Sequence, residues 1–143
     1  MMVTTESTIA SLLDERSRAI HDKDIDRLLA FYSDDVVYFD VVPPLQYVGA
    51  AALRGRFLDW FARWKGAIGQ KIVELHVMAS ADVAVAHMLI RAGGTLVDGA
   101  EVGYWVRSTS SFRLPESRWL IAHEHVSLPA DLKSGTVVTD LAP

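Results

Sequence analysis

RWLIAHEHVS, residues 118–127, reads as a β-strand with strictly alternating side chains. Trp119, Ile121, His123, His125 and Ser127 fall in one row; Leu120, Ala122, Glu124 and Val126 fall in the other. Both rows are partly apolar and both carry an ionisable group. A strand with one wet face would segregate the two, so this one is expected to be covered on both sides. An ionisable residue on a covered face needs a partner, because an unpaired buried charge is costly.

Working outward, the segment before it is also β. Residues 71–79 alternate, Ala81-Asp82 makes a turn, and VAVAHMLIR at 83–91 is apolar on both rows except for His87. That run predicts a central strand buried on both faces. Asp98-Gly99 is a hairpin signal, and residues 101–113 return as the partner strand. Its rows are Val102, Tyr104, Val106, Ser108, Ser110 against Trp105, Arg107, Thr109, Ser111. Pro115 to Ser117 turns the chain into the 118–127 strand.

The N-terminal half is helical. Thr4 or Thr5 can cap a helix whose stripe is Ile9, Leu12, Leu13 and Ile20, with Arg16 on the same stripe. Arg16 either snorkels along the core edge or points into a cavity. Asp24 can cap a second helix running to about Tyr32. A strand is expected from Val36 to Val42, with Val36, Tyr38 and Asp40 on one face, ended by Pro43-Pro44. Asp40 is either a turn residue or a pocket carboxylate. Residues 49–65 predict an amphipathic helix with Leu53, Phe57, Trp60, Phe61 and Trp64 on its apolar face. Arg54, Arg56, Asp59 and Arg63 lie on its polar face, Asp59 and Arg63 at a favourable i,i+4 spacing. Residues 129–143 form a weakly patterned tail.

Composition narrows the function classes. The chain has 143 residues, half of them apolar, and a net charge of −4 without any basic block, which disfavours nucleic acid and membrane as partners. It has no cysteine, so thiol chemistry and Cys-ligated zinc are excluded. The N-terminal residues show no signal-peptide pattern and no segment reads as a membrane span, so a cytoplasmic single domain over 1–143 is expected. No Gly-rich phosphate loop or G-x-S-x-G elbow is present. His87, His123 and His125 form a conceivable three-imidazole zinc set, but no carboxylate motif accompanies them, and the expectation is no metal and no cofactor. Helices first and sheet after predict an α+β fold.

Residues 6–128 also follow, in order, a familiar pattern: long helix, short KDID-led helix, YSDDVVYFD strand, aromatic helix, then a sheet ending in RWLIAHEHVS. This resembles the nuclear-transport-factor-2-like superfamily, with its ketosteroid isomerases, SnoaL-like polyketide cyclases and calmodulin-kinase association domains. The resemblance implies a cone-shaped fold, with about three N-terminal helices packed on a strongly curved, mostly antiparallel sheet enclosing a pocket. It places Asp40 on the general base of ketosteroid isomerase, Arg16 where that family has its Tyr, and Ser108 where it has its neutral Asp. It turns Glu124 and Val126 to the pocket, with Tyr104, Val106 and Ser108, and makes Arg16 the best partner for Glu124. The catalytic set so implied is Asp40, Arg16, Glu124 and Ser108. Tyr38, Trp60, Trp64, His87, Tyr104, Val106 and Val126 are the expected substrate-binding residues.

Two functions follow as expectations. One is a cofactor-independent isomerase, cyclase or lyase acting on a small, largely apolar carbonyl compound. The other is a dimeric binding or assembly module in which Arg16 holds a carboxylate-bearing molecule. Either way a homodimer through the outer sheet face is expected, since a second subunit is the cheapest cover for a doubly apolar strand.

Overall fold

The computed structural model describes residues 3–143. Helix α1 (Thr5–His21) begins at Thr4, whose hydroxyl accepts from the Ser7 backbone N–H at 3.1 Å. Its buried side is Ile9, Leu13, Arg16 and Ile20, a 3.6-residue stripe that packs mainly on the third strand. Helix α2 (Ile25–Leu29) is capped by Asp24, which accepts from the Arg27 N–H at 3.2 Å. It is shorter than the sequence suggested. Strand β1 (Tyr32–Phe39) starts where the helix was expected to end, because Tyr32 pairs with Ile121 of the last long strand.

After β1 come β2 (Tyr47–Val48) and helix α3 (Ala50–Ala62). Gly49 opens α3 at φ 89°, a conformation that side-chain-bearing residues avoid, and donates its N–H to the Val36 carbonyl at 2.7 Å. The helix stops at Ala62, three residues before the expected end. Trp64 already begins strand β3 (Trp64–Ala79), paired with Leu96. A propensity for continuing the helix loses here to the sheet ladder. The expected Asp59–Arg63 pairing gives way to ion pairs from Arg54 to Asp26 and from Arg56 to Asp40.

Strands β4 (Val83–Leu96), β5 (Glu101–Arg113) and β6 (Leu120–Ser127) complete the main sheet, and β7 (Ala130–Asp131) with β8 (Thr136–Val137) makes a small hairpin in the tail. The main sheet runs β2-β1-β6-β5-β4-β3, antiparallel throughout except for the β1–β6 pair. It is curved and unclosed, giving an α+β architecture with the three helices against one face. Gly69, Gly93 and Gly103 stand in one rung across β3, β4 and β5. A Cβ on Gly93 would lie 2.5 Å from the Val102 carbonyl oxygen, so only glycine lets the strands approach and bend there.

Two readings of facing are corrected. In β6 a bulge between Ile121 and His123 shifts the register, pairing Phe112 with Ile121 but Ser111 with His123. Ile121 therefore joins Glu124 on the inner face, leaving the His123–His125 row it was expected to share. In β4 only the inner row (Ala84, Ala86, Met88, Ile90, Ala92) is buried; on the outer row Val83 and His87 are exposed and Val85 and Leu89 half-buried. Among the described residues no helix is long and apolar enough to cross a membrane.

Candidate functional site

Between the helices and the inner sheet face lies a cavity of about 80 Å³. At about 10–15 Å³ per water it has room for roughly half a dozen waters, or a ligand of about one ring. Ile20, Phe57, Trp60, Ile90, Ala92, Val106 and Val126 give it an apolar wall, and its polar groups are Arg16, Tyr32, Tyr38, Asp40, Arg56, Gln70, Tyr104 and Glu124.

The polar groups form two charge pairs and a set of phenols. The inner pair is Arg16 with Glu124, which are 3% and 1% exposed. Arg16 donates to Oε2 of Glu124; Ser110 donates to the same oxygen at 2.6 Å, and Tyr32 donates to Oε1 at 2.7 Å. Burial works against the Arg16 charge, but Glu124 outweighs it and the guanidinium pKa is raised. This is a buried network drawn from four elements, an acid from β6, a base from α1, and hydroxyls from β1 and β5, with Nε of Arg16 left without a partner.

The second pair is more exposed. Oδ2 of Asp40, just past the end of β1, accepts from Nε of Arg56 at 2.6 Å, and Oδ1 accepts from the Val41 N–H at 2.6 Å. Burial opposes the Arg56 charge, yet the Asp40 hydrogen bond and charge raise its pKa. Tyr38 is near both pairs, and Tyr104 is near the Asp40–Arg56 pair. Burial, then the Glu124 charge, lifts the Tyr38 phenol well above its ordinary value; burial, then the Asp40 charge, lifts Tyr104. Both remain neutral hydrogen-bond donors near pH 7. Neither hydroxyl takes part in a hydrogen bond among the described residues.

Of the residues expected at the pocket, Arg16, Tyr38, Asp40, Trp60, Tyr104, Val106, Glu124 and Val126 line it. Three do not. Trp64 is buried at the start of β3, its ring against Gly94. His87 stands on the outer sheet face, because its strand row points away from the helices. Ser108 is on the inner face but its hydroxyl is buried without a partner; Ser110, two residues on, is the one opposite Glu124. The three-imidazole set is not assembled either. His123 Nδ1 contacts the Val37 carbonyl at 2.7 Å, and Thr109 separates His87 from His125 in the sheet.

Sequence reasoning missed Arg56, Tyr32 and Gln70. Arg56 carried a signal, being three residues after Leu53 and four before Trp60, on the margin of the apolar stripe. Tyr32 carried none that survives a helix assignment.

The curved sheet, the three helices on one face and the pocket between them define the NTF2-like fold. An NTF2-like protein of unknown function from Pseudomonas putida KT2440 is 31% identical over 100% of this chain and 99% of its own, with a TM-score of 0.90. The SnoaL-like domain family matches residues 9–131, and the chain belongs to that family. More distant structures share the fold. A ketosteroid isomerase-like protein from Erwinia carotovora atroseptica SCRI1043 has a TM-score of 0.75 at 22% identity, over 88% of this chain and 97% of that one. The association domain of C. elegans CaMKII has a TM-score of 0.69 at 15% identity, over 85% and 94%. No curated protein gives a significant match.

Proposed function

We propose that the chain binds a small, neutral, largely apolar carbonyl compound in the pocket and moves a proton on it by cofactor-independent acid–base chemistry, as an isomerase, cyclase or lyase. Asp40 takes the proton from the carbon beside the carbonyl, and Tyr38 and Tyr104 donate hydrogen bonds to the oxygen as charge builds on it. Arg56 holds the Asp40 carboxylate in place. The observation that carries this reading is that the Asp40 carboxylate and two neutral, partnerless phenols, Tyr38 and Tyr104, line the same small cavity with an apolar wall.

Arg16 and Ser108 leave the catalytic set in this reading. Arg16 is committed to Glu124, so it orders the wall and does not hold an oxyanion, and Ser110 takes the hydroxyl role beside Glu124. Charge balance also argues for a neutral ligand over a carboxylate, since each guanidinium already has its own acid.

A specific observation favours the alternative of binding without turnover: both Asp40 oxygens are already engaged, which weakens a base. Proton exchange separates the two. With small cyclic ketones in D2O, followed by NMR, the native chain should speed loss of the α-proton signal, and Asp40→Asn should lower that rate about 10²–10⁴-fold. Saturable binding with no exchange would leave only the binding module. For either reading we propose a homodimer, with the second copy covering Val83, Val85 and Leu89 on the outer row of β4.

A further inference from the structure

On the inner sheet face β3 presents Ile68, Gln70 and Ile72, so one carboxamide stands between two isoleucines. Gln70 pairs with Ala92 of β4, and Ala92 pairs with Tyr104 of β5, which makes these three one rung. All three line the pocket. The neighbouring rung on this face, Ile72, Ile90 and Val106, is apolar throughout. Gln70 and Tyr104 are two strand spacings apart, about 9–10 Å between backbones. Ala92 between them is 3% exposed and carries only a methyl group, so the carboxamide and the phenol flank a low point in the pocket wall.

The other polar groups of the pocket are accounted for. Arg16, Tyr32 and Glu124 bond to one another, and Asp40 is tied to Arg56. Tyr38 and Tyr104 serve the carbonyl oxygen. Gln70 is half-buried, and its side chain, unlike those of Arg56 and Tyr32, has no hydrogen-bond partner among the described residues. A ligand that fills the cavity takes water from this carboxamide, which is unfavourable unless the ligand supplies a replacement bond. The carboxamide offers an acceptor oxygen and a donor NH₂, the complement of a hydroxyl, which both donates and accepts. It is also uncharged, so it calls for no counter-charge on the ligand.

We propose that Gln70 is a specificity-determining residue that reads a second oxygen on the ligand, so that the pocket selects a one-ring ketone bearing a hydroxyl over the plain ketone. The carbonyl lies at the phenol end of the rung, the ring rests over Ala92, and the hydroxyl meets the carboxamide across it. Gln70 takes this role only if the pocket binds the carbonyl compound proposed above. It takes no part in the proton transfer, so binding alone reports on it, whether or not Asp40 acts as a base.

Binding of cyclohexanone, 3-hydroxycyclohexanone and 4-hydroxycyclohexanone to the full chain, measured by ligand-observed NMR, tests it. The native chain should bind one of the hydroxyketones about 3–10-fold more tightly than cyclohexanone, the size of one net hydrogen bond. Gln70→Met keeps the side chain's length and removes its polar atoms. It should abolish or reverse that preference, because the hydroxyl is then left unpaired, and should leave cyclohexanone affinity unchanged, which also shows that the pocket is intact. Equal binding of all three ketones by the native chain, or an undiminished preference in Gln70→Met, overturns the assignment of Gln70 and spares the pocket reading. Failure of every ketone to bind the native chain defeats the pocket reading and this assignment with it.

Discussion

Replacing Arg16 by Met tests the buried network that ties α1 to the sheet. The substitution keeps the apolar stem of Arg16 but removes the positive charge bonded to Glu124, which is 1% exposed. Tyr32 and Ser110 still donate to Glu124, so the loss is the counter-charge and its hydrogen bond. Breaking a buried pair from one side costs about 3–5 kcal/mol. Against a total of about 5–15 kcal/mol for a domain, that is a large share. Glu124→Gln keeps an acceptor for Tyr32 but strands Arg16, and should cost a similar amount. The double variant leaves no buried charge, so it should fall short of the summed losses by about 2–3 kcal/mol. Urea unfolding of the four proteins, followed by tryptophan fluorescence, gives the cycle. With a slope of about 1–3 kcal/mol per molar urea, the single variants should lose one to several molar in midpoint. Additivity within about 0.5 kcal/mol would mean that the two groups do not interact, and the network account would fail.

Removing the Tyr32 hydroxyl (Tyr32→Phe) deletes a hydrogen bond to a buried carboxylate and should cost about 1.5–3 kcal/mol in the same urea assay, while Tyr104→Phe, whose hydroxyl is unpartnered, should stay within about 0.5 kcal/mol. Tyr32, Tyr38 and Tyr104 all have raised pKa values in the folded protein, so the native state holds protons that the unfolded chain releases from about pH 10 upward. Their contribution is therefore fully present below pH 10 and lost as pH climbs toward the folded values, at up to ~1.4 kcal/mol per pH unit per residue. Absorbance at 295 nm should show Tyr32 and Tyr38 ionising together with alkaline unfolding; independent titration of both near pH 10 would refute their burial. Gly93→Ala places a methyl 2.5 Å from a backbone oxygen that cannot move freely, and should destabilise by about 1–3 kcal/mol by thermal melting.

What the sequence conveys and what it hides follow from the range of the interactions. The cap at Thr4, the Arg16 stripe position, the Asp24 cap and the Asp98-Gly99 hairpin are set within a few residues, and they read directly. The Arg16–Glu124 contact spans 108 residues, yet it follows from a physical demand: an acid on a covered strand and a cation on a covered helix face have few other partners. Bulges break such arithmetic. One extra residue near Ala122 turns Ile121 inward and sets Glu124 opposite Ser110, where the Phe112–Ile121 register continued without it would give Thr109. Trp64 and Tyr32 fail for a different reason. Each ends a helical pattern in sequence but is captured by a ladder partner far along the chain, Leu96 and Ile121 respectively. Arg56 shows the limit of a two-faced helix drawing, because a residue on the margin of the stripe can reach a pocket that the stripe only borders.

A crystal structure with a small cyclic ketone soaked into the native chain tests the proton-transfer reading most directly. The carbonyl oxygen should sit within about 2.6–3.2 Å of the Tyr38 or Tyr104 hydroxyl, with an α-carbon facing the Asp40 carboxylate. A ketone seated with its carbonyl turned from both phenols, or with Asp40 screened from it by Arg56, would contradict it.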